Sequence, residues 1–168
     1  MKVIIFLTSL LLTTFSASAN TNLVKVGSGS AYWGIFKIYD AQFHTEPTLD
    51  LTMALADNTA AKLELCYDYK LTVDNFIKGA NSALPRSLSS ELQQAVDTLH
   101  AAYQPVKKGD CYHLDYTPQT GTQLILNGQT LTRINTPRFK ALYFGIWVGD
   151  NPLSSKLKQD LTQHLVSK

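Results

Sequence analysis

The spacing of apolar residues changes along the chain from a period of two to a period near 3.6, and then repeats that change. "NLVKVGSG" reads as a short strand entering a glycine turn. "AYWGIFKIYDAQF" follows as one run that is apolar on both sides. Trp33, Ile35, Tyr39, Ala41 and Phe43 fall on one face, and Tyr32, Phe36 and Ile38 on the other. Such an aromatic and β-branched run predicts a central strand covered on both sides. After a break at Pro47, Leu49, Leu51, Met53 and Leu55 alternate and predict another strand. "KLELCYDYKL" alternates again, with Leu63, Leu65, Tyr67 and Tyr69 opposite Lys62, Glu64, Cys66 and Asp68.

From Thr72, a capping residue type, Phe76, Ile77, Ala80 and Leu84 recur at helical spacing until Pro85. A second helix begins near Ser89 or Ser90 and carries Leu92, Val96, Leu99 and Tyr103 on one stripe. After "KKGD" the period returns to two, with Tyr112, Leu114 and Tyr116 on one face. "TPQTG" is a turn, and Asn127-Gly128 between two extended runs predicts a hairpin. Thr136-Pro137 reads as a cap and first helical residue. The segment that follows, "RFKALYFGIWVG", is almost wholly apolar, so a helix here must be buried. "NPLSSKLKQDLTQHL" predicts an amphipathic helix starting near Ser154. Strands, two helices, strands and two helices make an α+β chain, an antiparallel sheet with helices packed on it.

The N-terminus adds a compartment. Lys2, the apolar run Val3 to Leu12 and the small residues Ala17-Ser18-Ala19 have the form of a signal peptide over residues 1–19. The apolar run is too short to span a bilayer, which takes roughly 20 residues. This predicts an exported, periplasmic protein whose residues 20–168 form a single domain, with no integral membrane segment after cleavage. With 15 basic against 13 acidic residues, the chain is near neutral, which offers no electrostatic reason to bind nucleic acid.

Gly27, Gly29 and Gly34 resemble a phosphate-cradling loop at first sight. A dinucleotide loop opens a helix, however, because the pyrophosphate sits on the helix N-terminus. Here a strand-like aromatic run follows, and the Lys-Ser/Thr ending of a phosphate loop is missing. The glycines are expected at a tight turn or bulge where backbones approach closely.

"GSGSAYWGIFKIYDAQF" resembles the start of the bacterial chalcone isomerase-like proteins. "LELCYDY", "YQPVKKGDCYHLDYTPQTGTQLILNGQ" and "FGIWVGDNPLSSKLKQDL" match the same family in the same order. The resemblance implies a chalcone isomerase-like open-faced β-sandwich, a large antiparallel sheet with a helical layer on one face. It also implies a cleft between sheet and helices. The plant enzymes of the family cyclise a chalcone there, helped by an arginine two residues beyond the second glycine. In this chain that position is Ala31, which carries neither charge nor donor. Fatty-acid-binding relatives use the same arginine region to hold a carboxylate.

The expected function is therefore a non-catalytic one, binding a small apolar or amphipathic ligand in the cleft. Tyr32, Trp33, Phe36, Lys37 and Tyr39 are the candidate ligand-binding residues: four aromatic walls and a cation on a long stem. Two other readings stay open, an isomerase or lyase using acid/base chemistry and an envelope interaction module without a pocket. Asp110 reads as a turn residue and Trp147 as core. His44, His100, His113 and His164 lack metal-ligand spacing, so neither a metal nor another cofactor is expected. Cys66 and Cys111 fall on the polar sides of their strands. They are candidates for a disulfide if those strands are neighbours.

Overall fold

A computed structural model describes residues 23–166; the signal peptide expected over residues 1–19 lies outside the described residues. Six strands pair antiparallel in sequence order: β1 (Val24–Trp33), β2 (Phe36–Thr45), β3 (Ala61–Tyr67), β4 (Cys111–Thr117), β5 (Gly121–Leu126) and β6 (Gln129–Ile134). Helices α1 (Leu51–Leu55), α2 (Val73–Ala83), α3 (Ser90–Ala102), α4 (Phe139–Val148) and α5 (Ser155–Leu161) complete the chain. Alternation decides which face of the sheet they cover. Ala41, Phe43, Leu63, Leu65, Tyr112, Leu114 and Leu124 are buried in the core. Their neighbours Lys62, Glu64 and His113 face the other way, where the Glu64 carboxylate lies 3.3 Å from both the Lys62 ammonium and His113 Nε2. The architecture is the open-faced, antiparallel α+β sheet expected from the order of elements.

Local chemistry sets the helix starts. The Thr72 hydroxyl accepts from the Asn75 N–H, and the Asn75 side chain accepts from the Thr72 N–H at 2.8 Å, a reciprocal cap. Ser89 and Ser154 cap α3 and α5 by accepting from the N–H groups of Leu92 and Leu157. Asn127 and Gly128, both with positive φ, form the β5–β6 turn.

Three expectations are corrected. The aromatic run Ala31–Phe43 is not one strand. Gly34, with φ of 59°, turns it back on itself, so β1 and β2 form a hairpin. Leu49–Leu55 is not a strand either. The Asp50 carboxylate accepts from the Met53 N–H at 2.9 Å and starts the short helix α1. Finally, Thr136-Pro137 does not begin α4. The Arg138 N–H donates to the Asp57 carboxylate at 2.7 Å with Arg138 at φ 64°, and the helix starts at Phe139.

The first two glycines lie inside β1, beside a bulge between Lys25 and Gly27. Helix α5 rests on them. A Cβ at Gly27 would stand 2.2 Å from the Leu161 carbonyl oxygen, and one at Gly29 would stand 2.8 Å from the Asp160 Cβ. They permit close backbone approach rather than phosphate binding.

Helix α4 is the centre of the helical layer. Phe139, Tyr143, Phe144, Ile146, Trp147 and Val148 are all buried, and so is its one charged residue, Lys140. The Lys140 ammonium donates to the carbonyls of Ala54, Ala56 and Thr59 at 3.1, 2.5 and 2.6 Å and lies 4.4 Å from the centre of the Tyr116 ring. Burial pushes it down to about 8, so it remains charged at neutral pH. This one group ties the loop after α1 to the inner helix. On the opposite face of the sheet Cys66 and Cys111, register partners on β3 and β4, are joined by a disulfide with S–S 2.03 Å. It closes a loop of 45 residues, and restricting the unfolded chain in this way stabilises by roughly 4 kcal/mol.

Two variants test this account. Lys140→Met keeps the apolar stem but strips three carbonyls of their donor. Urea unfolding is expected to show a loss of about 3 kcal/mol. Gly27→Ala is expected to cost about 2 kcal/mol or more by the same measurement, because its methyl meets rigid backbone of α5.

Candidate functional site

A cleft of about 140 Å³ opens where the end of the sheet meets the helical layer. Tyr39 of β2 and Tyr67 of β3 supply its sheet wall. They are register partners with ring centres 5.6 Å apart. Phe76 of α2 and Tyr103, which ends α3, stack at 5.0 Å to form the facing wall, and Trp147 of α4 forms the floor. Gly79 lies on the turn of α2 above Phe76, and a Cβ there would meet no atom within 4 Å. The strand alternation that buries Ala41 and Leu65 turns Tyr39 and Tyr67 inward. The stripe of α2 that buries Ala80 carries Phe76 with it.

The Tyr39, Tyr103, Tyr143 and Tyr112 hydroxyls around the cleft are hydrogen-bonded. The Trp147 indole N–H donates to the Tyr39 hydroxyl at 3.0 Å, and the Tyr103 and Tyr143 hydroxyls share a hydrogen bond of 2.9 Å. The Tyr112 hydroxyl, behind Tyr67 and Phe76, donates to the Gln104 carbonyl at 2.9 Å. Burial raises all of these phenols, Tyr67 and Tyr143 most strongly. They are neutral at physiological pH, available as hydrogen-bonding groups and not as bases. The lining contains no Asp, Glu, Lys, Arg or His. A wider groove, about 630 Å³, lies outside the helical layer between α1 and α4. Leucines, alanines and glycines line most of it with Thr52, Asp150 and Asn151 at its polar side, and no strand residue is among its lining.

Of the five residues expected to bind a ligand, Tyr39 alone lines the cleft. Tyr32, Trp33 and Phe36 stand on the β1–β2 turn and are exposed, because the Gly34 turn carries them beyond the end of the sheet. Lys37 does not point along the Tyr39 face. A bulge at its position puts its ammonium 2.8 Å from Asp40 and 2.9 Å from Asp68, and those hydrogen bonds, Asp40 first, raise its pKa. Ala31, at the position matched to the plant arginine, is the register partner of Tyr39 but does not itself line the cleft. Tyr67, Phe76, Tyr103 and Trp147 were legible in the sequence only as core positions. A cleft wall and a core have the same apolar pattern until the elements are packed. Asp110 accepts from the Lys107 N–H at 2.8 Å and from the Asn127 amide at 2.9 Å, which holds its carboxyl low and gives it a turn role. Among the described residues, no three His, Cys, Asp or Glu side chains converge as a metal site, and no helix is long and apolar enough to cross a membrane.

The sequence profile of the family described as chalcone isomerase-like matches residues 11–162. No curated protein matches the chain. Among solved structures, the crystal structure of an Arabidopsis thaliana fatty-acid binding protein superposes with a TM-score of 0.65 at 12% identity, covering 89% of this chain and 92% of that one. At that identity the likeness is one of fold.

The buried phenols make a pH signature. Each holds its proton more tightly folded than unfolded, so its contribution to stability is complete below the unfolded value of 10.0 and is lost as the pH rises beyond it. The urea midpoint is expected to fall between about pH 9 and about pH 11. Tyr39→Phe together with Tyr143→Phe should make that fall shallower.

Proposed function

Because this chain belongs to the chalcone isomerase-like family, we propose that it is a non-catalytic binding protein that takes a small, uncharged apolar molecule into the cleft between sheet and helices. The observation that carries this reading is the lining, aromatic and aliphatic side chains with the Tyr39 and Tyr103 hydroxyls hydrogen-bonded and no charged side chain. A carboxylate buried there would lose its water without gaining a cation, a cost of several kcal/mol. An uncharged ring meets rings and pays no such cost. Size points the same way, since a cavity of about 150 Å³ is known to hold benzene. A cleft of about 140 Å³ therefore suits one ring or a short aliphatic segment, with any remainder of the ligand lying outside the mouth.

Turnover by the plant route lacks its parts. Ala31 offers no positive charge to a developing oxyanion, and the neutral phenols offer no base at physiological pH. The Arabidopsis neighbour is by its title a fatty-acid binding protein. For this chain an acyl tail fits the cleft, whereas its carboxylate would have to remain in water. The protein acts after export to the periplasm, guided by residues 1–19. The Cys66–Cys111 disulfide supports that placement, because such bonds persist in oxidising compartments.

Native mass spectrometry of the protein isolated from its exporting host is expected to show an added mass that leaves on denaturation. Gly79→Leu, which fills the cleft from a good helical position, should remove that mass and leave the melting temperature unchanged or raised. In NMR titrations para-cresol is expected to bind about tenfold more tightly than para-toluate, the same ring with a charge. Equal affinities, or shifts confined to residues away from Tyr67 and Trp147, would overturn the assignment.

A further inference from the structure

The β1–β2 hairpin runs past the rest of the sheet. The last pair between β2 and β3 is Tyr39 with Tyr67, and the Ile38 carbonyl still accepts from the Asp68 N–H at 2.8 Å, so residues 33–37 project with no strand beside them on the β3 side. On this overhang Trp33 is 80% exposed and Ile35 88%, flanked by Tyr32 and Phe36, both more than half exposed. Tyr69, just past β3, meets Phe36 edge to face at 6.1 Å and widens the patch. Contiguous apolar surface of this kind on a soluble protein marks a contact site.

The overhang is braced at its base. Lys37 bonds both Asp40 and Asp68, which ties the hairpin to the end of β3. It also stands beside the cleft. Tyr39 follows directly on the hairpin and Leu71 follows Tyr69, and both line the cavity.

The chemistry of the tip selects among occupants. Trp33 and Tyr32 carry an apolar ring with a polar edge, the side chains favoured where hydrocarbon meets water. Ile35 and Phe36 form a hydrocarbon apex. Around it lie exposed Lys70, next to Tyr69, and exposed Lys107 and Lys108, on the turn before β4. That turn is held at the same end of the sheet by the Leu71–Val106 bridge and by the Gly109 N–H donating to the Tyr67 carbonyl at 2.8 Å. The nearby carboxylates are already engaged, Asp40 and Asp68 by Lys37, and Asp110 by Lys107 and Asn127. Asp74 sits in the first turn of α2, where the helix dipole accommodates it. Lys70 and Lys108 form no ion pair with the described residues. An apolar apex with unpaired lysines around it complements an anionic lipid surface.

We propose that the β1–β2 tip inserts into the headgroup region of a bilayer containing anionic lipid. The protein then docks with its cleft beside the membrane. Docking needs no occupied cleft, so this inference stands or falls apart from the ligand assignment.

The chain has two tryptophans, exposed Trp33 and buried Trp147, which makes the test site-specific. Vesicles of phosphatidylcholine, with and without phosphatidylglycerol, are prepared with brominated acyl chains. The wild-type emission is expected to shift to the blue and be quenched on the anionic vesicles. Trp33→Phe should lose the quenched component and keep the Trp147 signal. Ile35→Ser with Phe36→Ser is expected to lower the vesicle-bound fraction about tenfold, and Lys70→Gln with Lys108→Gln to lower it on anionic vesicles only. These tip residues lie outside the core, and circular dichroism checks that each variant is folded. Unquenched Trp33 on anionic vesicles overturns the proposal, even if a variant fails to fold. So does undiminished binding by the Ile35/Phe36 variant. A lipid-free dimer that dissociates in that variant would assign the patch to a second copy and equally overturn it.

Discussion

Helix α4 has to bury most of its surface, and the architecture follows from that constraint. Ten residues with one charge among them leave only the small strip of Ala141, Leu142 and Gly145 toward the outer groove, so the sheet lies beneath the rest and the other helices pack around them. The one charge is accommodated by position. Lys140 reaches three backbone carbonyls that the turn after α1 leaves available, and in doing so it converts a liability of the helix into the fastening of a loop. Remove the apolar helix and the inner face of the sheet, from Phe43 to Leu124, has nothing to bury it.

The cleft is the place where this covering is incomplete. Beyond Trp147 the helix ends, and the α2–α3 pair bridges from helix to sheet with aromatic rings in place of aliphatic core. Rings packed edge to face leave a gap that branched chains would fill. Tyr39 pairs with Trp147 and Tyr103 with Tyr143, so the gap is largely apolar although several tyrosines stand close to it. The cavity and the stability of the layer thus draw on the same residues.

Much of the fold was legible because only one face of the sheet is buried. That produces the clean alternation of β3 and β4, and caps at Thr72, Ser89 and Ser154 announce three of the helices. The failures have physical causes. Leu51 and Leu55 satisfy a period of two and also the four-residue step of a helix, and only Asp50 breaks the tie. The β1–β2 turn sits within an unbroken apolar run, so the single glycine at its centre is hidden among residues that read as buried. Arg138 adopts its left-handed conformation for a partner 81 residues away, which no local pattern records. The site was legible at Tyr39 and not at Tyr67, Phe76 or Trp147. Those three come from distant segments whose convergence is a property of packing.

The seating of α5 on the glycines of β1 sets an order of assembly. Every strand pairs with its immediate successor, so the sheet closes through short loops, except where α1 lies between β2 and β3 and where two helices lie between β3 and β4. The contact of Leu161 with Gly27 is different, for it joins opposite ends of the described chain. Its loop-closure entropy is among the largest in the molecule, as is that of the neighbouring His164–Val26 hydrogen bond, and it is repaid only after the sheet has already brought the intervening segments together. The first strand therefore waits with one stretch of backbone uncovered while the others zip. On entropic grounds the C-terminal helix is expected to dock last, as the seal on a structure assembled mostly from neighbour to neighbour.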